Sequence, residues 1–174
     1  MKKNSLLKRK LINLLKNKEA NIGIVGLGYV GLPLSLTYCE NGYKVVGIDI
    51  DKEKINSINQ GISYLHHIES ERINKFIKSG QLSATNDFKK AKILDAIILC
   101  VPTPLNKYRE PDLSYIRATM NSLKYFFREG QVLSLESTTY PGTTEEELRP
   151  IIEEQNLVIG DNFFLVYSPE REDP

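Results

Sequence analysis

The sequence predicts an α/β protein built on a doubly wound parallel sheet. Short apolar segments that suit buried strands alternate with helical segments along most of the chain, as in parallel sheets covered by helices on both faces. A glycine-rich turn, Gly26-Leu-Gly28-Tyr-Val-Gly31, follows the first of these strands and leads into a helix. Polar residues directly follow later strands, where open sheets of this class bind ligands. We count six strands, with no internal repeat and no low-complexity linker.

Residues 1–18 are predicted to form a basic amphipathic helix ahead of the main domain, which we place at residues 19–174. The segment is rich in lysine, and its large apolar residues are spaced to form one helical face: Leu6, Leu7, Leu11, Ile12, Leu14 and Leu15. Such a helix can lie on a membrane surface, but a terminal helix more often docks on its own domain or on a partner subunit. We therefore expect docking.

Residues 21–51 carry the pattern of a dinucleotide-binding turn. Gly26 permits a tight turn after the strand, Gly28 lets the backbone approach a pyrophosphate, and Gly31 lets the helix pack close to the sheet. The start of that helix offers unpaired N–H groups to phosphates, and Pro33 is tolerated in its first turn. The expected ligand is a dinucleotide, and the alternative is a similar sheet that binds another adenosine cofactor or none.

Asp49 follows the second strand about 20 residues after the glycine turn, where a carboxylate can accept hydrogen bonds from both ribose hydroxyls. A 2′-phosphate at that place would meet a like charge, so NAD is favoured over NADP. A helix over residues 52–60 begins close by and makes Lys54 a candidate contact for the adenosine half. A solvated surface lysine is the alternative. His66 and His67 follow without a cysteine or an acid at ligand spacing, so no metal site is predicted.

The remaining elements continue the alternation. A helix over residues 69–78 and a strand over 82–85 precede an apolar strand over 96–101, which ends at two prolines that flank Thr103. Thr103 is therefore a candidate cofactor contact, with a simple turn as the alternative. Asp112 is the predicted N-cap of a helix over 113–127. A strand over 132–135 leads into hydroxyl-rich residues and a further helix, and the last strand spans 163–167.

Composition narrows the class of protein further. The 23 basic and 22 acidic residues nearly balance, which argues against a dedicated nucleic-acid partner. Neither a bilayer-spanning apolar segment nor a signal peptide is evident in the sequence, so we expect no membrane partner and a cytoplasmic location. Cys39 and Cys100 fall in the first helix after the glycine turn and in a central strand, as small core residues of a reduced protein.

Several motifs identify a family resemblance: GLGYVGLPLS, GIDID, VPTP, EPDLSYI, ESTTYPGTT and YSPER. With these motifs the chain resembles, nearly end to end, the amino-terminal Rossmann-fold domain of the UDP-glucose/GDP-mannose dehydrogenase family. The versions LESTTYPGTTEE and SPEREDP look most like the branch that oxidises UDP-N-acetylated hexosamines, notably UDP-N-acetylglucosamine 6-dehydrogenases. The VPTP and ESTTYPGT motifs argue against other Rossmann dehydrogenases, such as those acting on hydroxy acids.

The resemblance implies that the C6 hydroxyl of a nucleotide sugar is oxidised to a carboxylate with two NAD, for surface polysaccharide synthesis. In the family a cysteine captures the intermediate aldehyde, and water hydrolyses a later thioester. The resemblance implies cofactor contacts at Tyr29, Val30, Asp49, Lys54, Thr103 and Thr138, catalytic roles for Thr138 and Glu170, and substrate contacts at Arg171 and Glu172. A strand-ending turn with solvated charges is the alternative for residues 168–170.

Two departures from the family pattern shape the expectation. Relatives specific for UDP-glucose look like they carry a glutamate at the position of Pro174, which disfavours UDP-glucose here. The family's nucleophilic cysteine, catalytic lysine and asparagine, and UDP-binding domain would lie beyond residue 174, and neither cysteine of this chain can replace the nucleophile. We expect a truncated dehydrogenase, with a homodimer possible, that binds NAD but oxidises no UDP sugar alone. A free-standing NAD-binding module is the second hypothesis.

Overall fold

The computed structural model describes residues 2–169 except 106 and 108, with side chains from residue 5 onward. In this part of the chain the α-helices are α1 (Lys2–Lys16), α2 (Gly31–Glu40), α3 (Lys52–Asn59), α4 (Ser70–Lys78), α5 (Ser114–Leu123) and α6 (Arg149–Glu153). The strands are β1 (Asn21–Val25), β2 (Lys44–Ile48), β3 (Leu82–Thr85), β4 (Ala96–Leu99), β5 (Val132–Leu135) and β6 (Phe164–Tyr167). Short 3₁₀ helices span Phe88–Ile93 and Lys124–Phe126, and a π-helical turn spans Thr144–Leu148.

The six strands form one parallel sheet in the order β3-β2-β1-β4-β5-β6. The chain builds outward from β1 to β3, returns to the centre of the sheet, and builds outward in the other direction from β4 to β6. Strand β1 therefore pairs with both β2 and β4, and its last residue, Val25, lies opposite Ile48 and Leu99. The predicted doubly wound sheet of six strands is confirmed.

Alternating side chains on the central strands divide the core into two layers. Ile98 of β4 packs into the cluster that contains Leu36 of α2, whereas Ile97 packs into the cluster that contains Ile116 and Met120 of α5. All four residues of β4 are buried. A parallel strand covered on both faces needs apolar residues on both sides, which explains the unbroken apolar segment in the sequence.

Helix α1 lies across the amino-terminal ends of the strands. The Tyr43 hydroxyl, just before β2, donates to the Leu15 carbonyl at 2.7 Å. At the other end of the helix, the Leu7 side chain lies beside Gly130, which precedes β5. Leu11 is 7% exposed. The helix thus docks on its own domain.

The expected apolar face of α1 is wider than the face that docks. Leu14 and Leu15 pack against the core, as the spacing predicts. Leu6 and Ile12 remain exposed, at 65% and 38%, because the amino-terminal ends of the strands contact only part of the helix.

Three predicted boundaries need correction. The strand expected over 96–101 ends at Leu99, because the neighbouring strand β1 ends at Val25 and its chain turns at Gly26, which has a φ of 93°. Asp112 is not the N-cap of α5, which is Leu113, although the Asp112 carboxylate accepts the Ser114 N–H at 2.9 Å. The helix expected over 113–127 is α-helical only to Leu123 and ends in a 3₁₀ turn.

Candidate functional site

A cleft of about 710 Å³ opens at the carboxyl ends of β1 and β4. At this place the connections that follow the two strands lead to opposite halves of the sheet. A volume of this size suits a small-molecule ligand or cofactor. Of the residues expected to contact a cofactor, the cleft is lined by Gly26, Gly28, Tyr29, Val30, Asp49, Lys54, Thr103 and Thr138. The sequence motifs therefore converge on one place.

The three glycines of the turn have different steric requirements. Gly26 has a φ of 93°, and a Cβ there would lie 2.7 Å from the Cys100 carbonyl oxygen. A Cβ on Gly31 would lie 1.8 Å from the Gly26 carbonyl oxygen, so only glycine allows α2 to start so close to the turn. A Cβ on Gly28 would meet no protein atom within 4 Å. Gly28 thus faces open space in the cleft, where the absence of a side chain leaves room for a ligand.

Asp49 is tied to the glycine turn by its own carboxylate. Its Oδ2 accepts the Leu27 N–H at 2.6 Å, and its Oδ1 accepts the Asp51 N–H at 2.9 Å. The side chain is largely buried at the edge of the cleft, with 9% of the residue exposed. A carboxylate offers about four acceptor positions, so further hydrogen bonds to ligand hydroxyls remain available.

The turn is also held by Tyr64, from the loop between α3 and α4. The Tyr64 hydroxyl donates to the Leu27 carbonyl oxygen. Burial, and then the negative charges of Asp49 and Asp51, raise the pKa of the Tyr64 phenol, so the hydroxyl stays protonated and able to donate.

Helix α3 begins at the same side of the cleft. The Asp51 carboxylate accepts the N–H groups of Glu53 and Lys54 at 2.9 and 3.3 Å and so caps the helix. The cap fixes the first turn of α3, in which Lys54 lines the cleft. The lysine is thereby placed near Asp49, as the sequence spacing predicts.

The opposite wall comes from the segments that follow β4 and β5. The Thr103 hydroxyl donates to the Thr138 carbonyl oxygen at 2.8 Å, and the Ser137 hydroxyl donates to the Val101 carbonyl oxygen at 2.6 Å. These two bonds join the segments beyond the ends of the strands. They place Thr103 and Thr138 side by side.

Several lining residues were not predicted from the sequence: Ile50, Phe88, Tyr115, Thr119, Glu136 and Ser137. Glu136 and Ser137 belong to the polar segment after β5, in which the sequence predicts only Thr138 as a contact, so the rule that ligands bind beyond strand ends extends to both. Phe88 and Tyr115 belong to a 3₁₀ helix and to α5, and no local motif marks them. Only the packing of those helices beside the sheet brings them to the cleft.

Three predicted residues, Glu170, Arg171 and Glu172, lie outside the described residues. Cys39 is buried within α2, as expected of a core residue, and burial raises its thiol pKa to about 12. The expectation that Cys100 is a core residue of a strand is wrong, because Cys100 follows the end of β4, is half-buried and lines the cleft. Across the described residues, no cluster of three or more His, Cys, Asp or Glu side chains could hold a metal ion. Within the same part of the chain, none of the helices is long and apolar enough to cross a membrane.

The geometry fits a dinucleotide. The open space beside Gly28 at the start of α2 suits a pyrophosphate, and the Asp49 carboxylate lies where ribose hydroxyls can donate to it. Residues 20–174 match the model of the UDP-glucose/GDP-mannose dehydrogenase family, NAD binding domain. The chain belongs to this family. Its cofactor is accordingly NAD.

Individual relatives agree with the family match. The chain is 36% identical to Protein CapL of Staphylococcus aureus, over 88% of this chain and 35% of that protein. It is 34% identical to a UDP-N-acetyl-D-glucosamine 6-dehydrogenase of Pseudomonas aeruginosa, over 90% of this chain and 36% of that enzyme. The chain thus spans about a third of the length of these relatives.

A solved structure shows the same fold. The UDP-N-acetyl-mannosamine dehydrogenase Cap5O of Staphylococcus aureus superposes with a TM-score of 0.82 at 33% identity, over 89% of this chain and 38% of that one. A UDP-N-acetylglucosamine dehydrogenase and a UDP-N-acetylmannosamine dehydrogenase are therefore similar to this chain to nearly the same degree.

Proposed function

We propose that this chain is the NAD-binding part of a nucleotide-sugar 6-dehydrogenase that oxidises the C6 hydroxyl of a UDP-N-acetylhexosamine to a carboxylate. The observation that supports the proposal most is the cleft at the carboxyl ends of β1 and β4, in which Gly28 faces open space and Asp49 lies at the edge. The family match of the chain agrees with it. UDP-N-acetylglucosamine is the proposed substrate, two NAD are consumed for each sugar, and the product serves capsule or other surface polysaccharide.

The glycine turn has a proposed part in holding the cofactor. Gly26, Gly28 and Gly31 shape the turn so that the pyrophosphate approaches the backbone at the start of α2, near Tyr29 and Val30. When bound, NAD supplies the hydride acceptor for the alcohol and aldehyde oxidations.

The adenosine and nicotinamide halves use opposite walls of the cleft in this proposal. Asp49 accepts hydrogen bonds from the adenosine ribose through the acceptor positions not used by Leu27 and Asp51. Lys54 borders the same half. Thr103 and Thr138, joined to each other beyond β4 and β5, contact the other half of the cofactor.

The proposed catalytic groups are Thr138 and Glu170, and Arg171 and Glu172 would border the sugar nucleotide. Thr138 lines the cleft and is exposed, so its hydroxyl can orient water or substrate near the reacting carbon. UDP-N-acetylmannosamine and UDP-glucose are the alternative substrates. The chain spans about a third of the length of these relatives. We expect it to bind NAD and to oxidise no UDP sugar alone.

Calorimetric titration with NAD, NADP and UDP-N-acetylglucosamine in parallel tests the proposal. We expect binding of NAD, weaker or no binding of NADP, and loss of NAD binding in Asp49→Ala. Far-UV circular dichroism of that variant is needed, because Asp49 also holds the Leu27 amide. Absence of dinucleotide binding by the folded wild-type chain would contradict the cofactor assignment, and NADH formation from UDP-N-acetylglucosamine would contradict the expected inactivity.

A further inference from the structure

We propose that Tyr64 is a positioning residue for the cofactor: it fixes the peptide plane that carries the Gly28 N–H and thereby presents that donor to the pyrophosphate. The inference rests on the proposed function and deepens it. Tyr64 lies in the loop between α3 and α4, outside the glycine turn and outside the lining of the cleft.

The first argument is the geometry of Leu27. Its N–H donates to the Asp49 carboxylate at 2.6 Å, and its carbonyl oxygen accepts from the Tyr64 hydroxyl. Leu27 is thus held from both sides, by two side chains that come from different segments. With only 1% of its surface exposed, it has little freedom to rotate.

The second argument is the planarity of the peptide bond. The Leu27 carbonyl and the Gly28 N–H belong to one peptide unit, and in a trans unit they point in opposite directions. Fixing the carbonyl toward Tyr64 therefore directs the Gly28 N–H away from Tyr64. Gly28 lines the cleft, and a Cβ on it would meet no protein atom within 4 Å. Tyr64 thus sets the direction of a donor that it does not touch.

The third argument is that Tyr64 is itself held in place before any ligand arrives. Its ring packs against the core layer that includes Leu27. The adjacent Ser63 accepts the Leu65 N–H at 3.1 Å through its hydroxyl, and its own N–H donates to the Ser70 hydroxyl at 3.0 Å. A donor held by its own loop reduces the ordering that a ligand must impose when it binds.

Tyr64→Phe tests the inference, because it removes the hydroxyl and keeps the ring that packs. Tyr43→Phe is the matched control. The Tyr43 hydroxyl also donates to a backbone carbonyl, that of Leu15 at 2.7 Å, but at the edge of the sheet where the strands begin. Both variants lose one hydrogen bond of the same kind, so a general loss of stability affects them alike. An effect on the cofactor should affect only Tyr64→Phe.

We expect the dissociation constant for NAD to rise roughly five- to tenfold in Tyr64→Phe, as for loss of one hydrogen bond, and less than about twofold in Tyr43→Phe. Amide hydrogen exchange followed by NMR should show faster exchange at Leu27, whose N–H is bonded to Asp49, only in Tyr64→Phe. Equal NAD affinity in wild type and in folded Tyr64→Phe would overturn the inference, as would equal losses in the two variants.

The two readouts separate this inference from the proposed function. If the wild-type chain binds no NAD, the proposed function fails, and the inference that Tyr64 positions a cofactor fails with it. The exchange data then still report whether the hydroxyl holds the turn. If wild type binds NAD and Tyr64→Phe binds it equally, the proposed function stands and only the role of Tyr64 is wrong.

Discussion

A pair of alanine substitutions separates the structural glycine of the turn from the one that leaves room for a ligand. In Gly31→Ala the new Cβ lies 1.8 Å from the Gly26 carbonyl oxygen and 3.2 Å from the Ile24 side chain. The oxygen is backbone and cannot rotate away, so α2 must move by more than about 1 Å from the turn. In Gly28→Ala the new Cβ meets no protein atom within 4 Å.

The expected magnitudes follow from these contacts. Overpacking costs about 1–3 kcal/mol, and a clash between backbone-bound atoms falls at the upper end, so we expect Gly31→Ala to lose about 3 kcal/mol of unfolding free energy. That is a large part of the roughly 5–15 kcal/mol that keeps a domain folded. Gly28 has no positive φ, so Gly28→Ala should change stability by less than about 1 kcal/mol. Its Cβ occupies the ligand's space, and we expect NAD affinity to fall at least roughly tenfold, or about 1.4 kcal/mol.

Urea denaturation followed by far-UV circular dichroism measures the first effect, because the chain contains no tryptophan for fluorescence. Calorimetry with NAD measures the second. The reasoning would be refuted by a Gly31→Ala variant as stable as wild type, or by a stable Gly28→Ala variant that binds NAD with unchanged affinity.

Three further predictions concern charge, thiols and the first helix. The side-chain hydrogen bond from Arg117 lowers the pKa of Glu147 in the folded chain. The ionised Glu147 therefore stabilises the fold above the usual glutamate pKa, and this stabilisation is lost as the pH falls through the lowered pKa of the folded state. Urea titrations between about pH 5 and pH 3 should show a shallower loss of stability in Glu147→Gln, and a slope equal to that of wild type would contradict this. A thiol reagent should label Cys100 before Cys39, since Cys39 is 2% exposed and its thiol pKa is raised. Bound NAD should slow the labelling of Cys100, which lines the cleft. Mass spectrometry of the labelled peptides measures both effects. Deleting residues 1–18 should lower the unfolding free energy by about 3 kcal/mol, because the burial of Leu11, Leu14 and Leu15 is lost. The affinity for NAD, measured by calorimetry, should not change. A weakened affinity would argue against the separation of helix and cleft.

The sheet and the glycine turn could be predicted from the sequence because local patterns encode them. The four apolar residues of β4 predict a strand covered on both faces, and the spacing from Gly26 to Asp49 predicts a carboxylate beside the turn. Both signals need only the order of residues along the chain. The placement of Lys54 and Thr103 in the cleft follows from the same strand ends.

The rest of the site depends on contacts between distant segments. Tyr64 meets Leu27 only after the loop beyond α3 folds back on the glycine turn, and no spacing in the sequence reports that contact. Phe88 and Tyr115 reach the cleft for the same kind of reason. Asp112 accepts the Ser114 N–H as a capping residue would, but the first helical hydrogen bond runs from the Arg117 N–H to the Leu113 carbonyl, so Leu113 takes the cap position.

The position of α1 has a consequence for the order in which the chain folds during synthesis. This helix leaves the ribosome before the strands of the sheet, yet its contacts are with Tyr43, just ahead of β2, and with Gly130, just ahead of β5. Its apolar residues therefore have no complete docking surface until most of the chain has been made. Contacts this distant in sequence form slowly. The exposed basic side chains of Lys8, Arg9 and Lys10 keep the undocked helix hydrated, and we expect it to dock only after the sheet has formed.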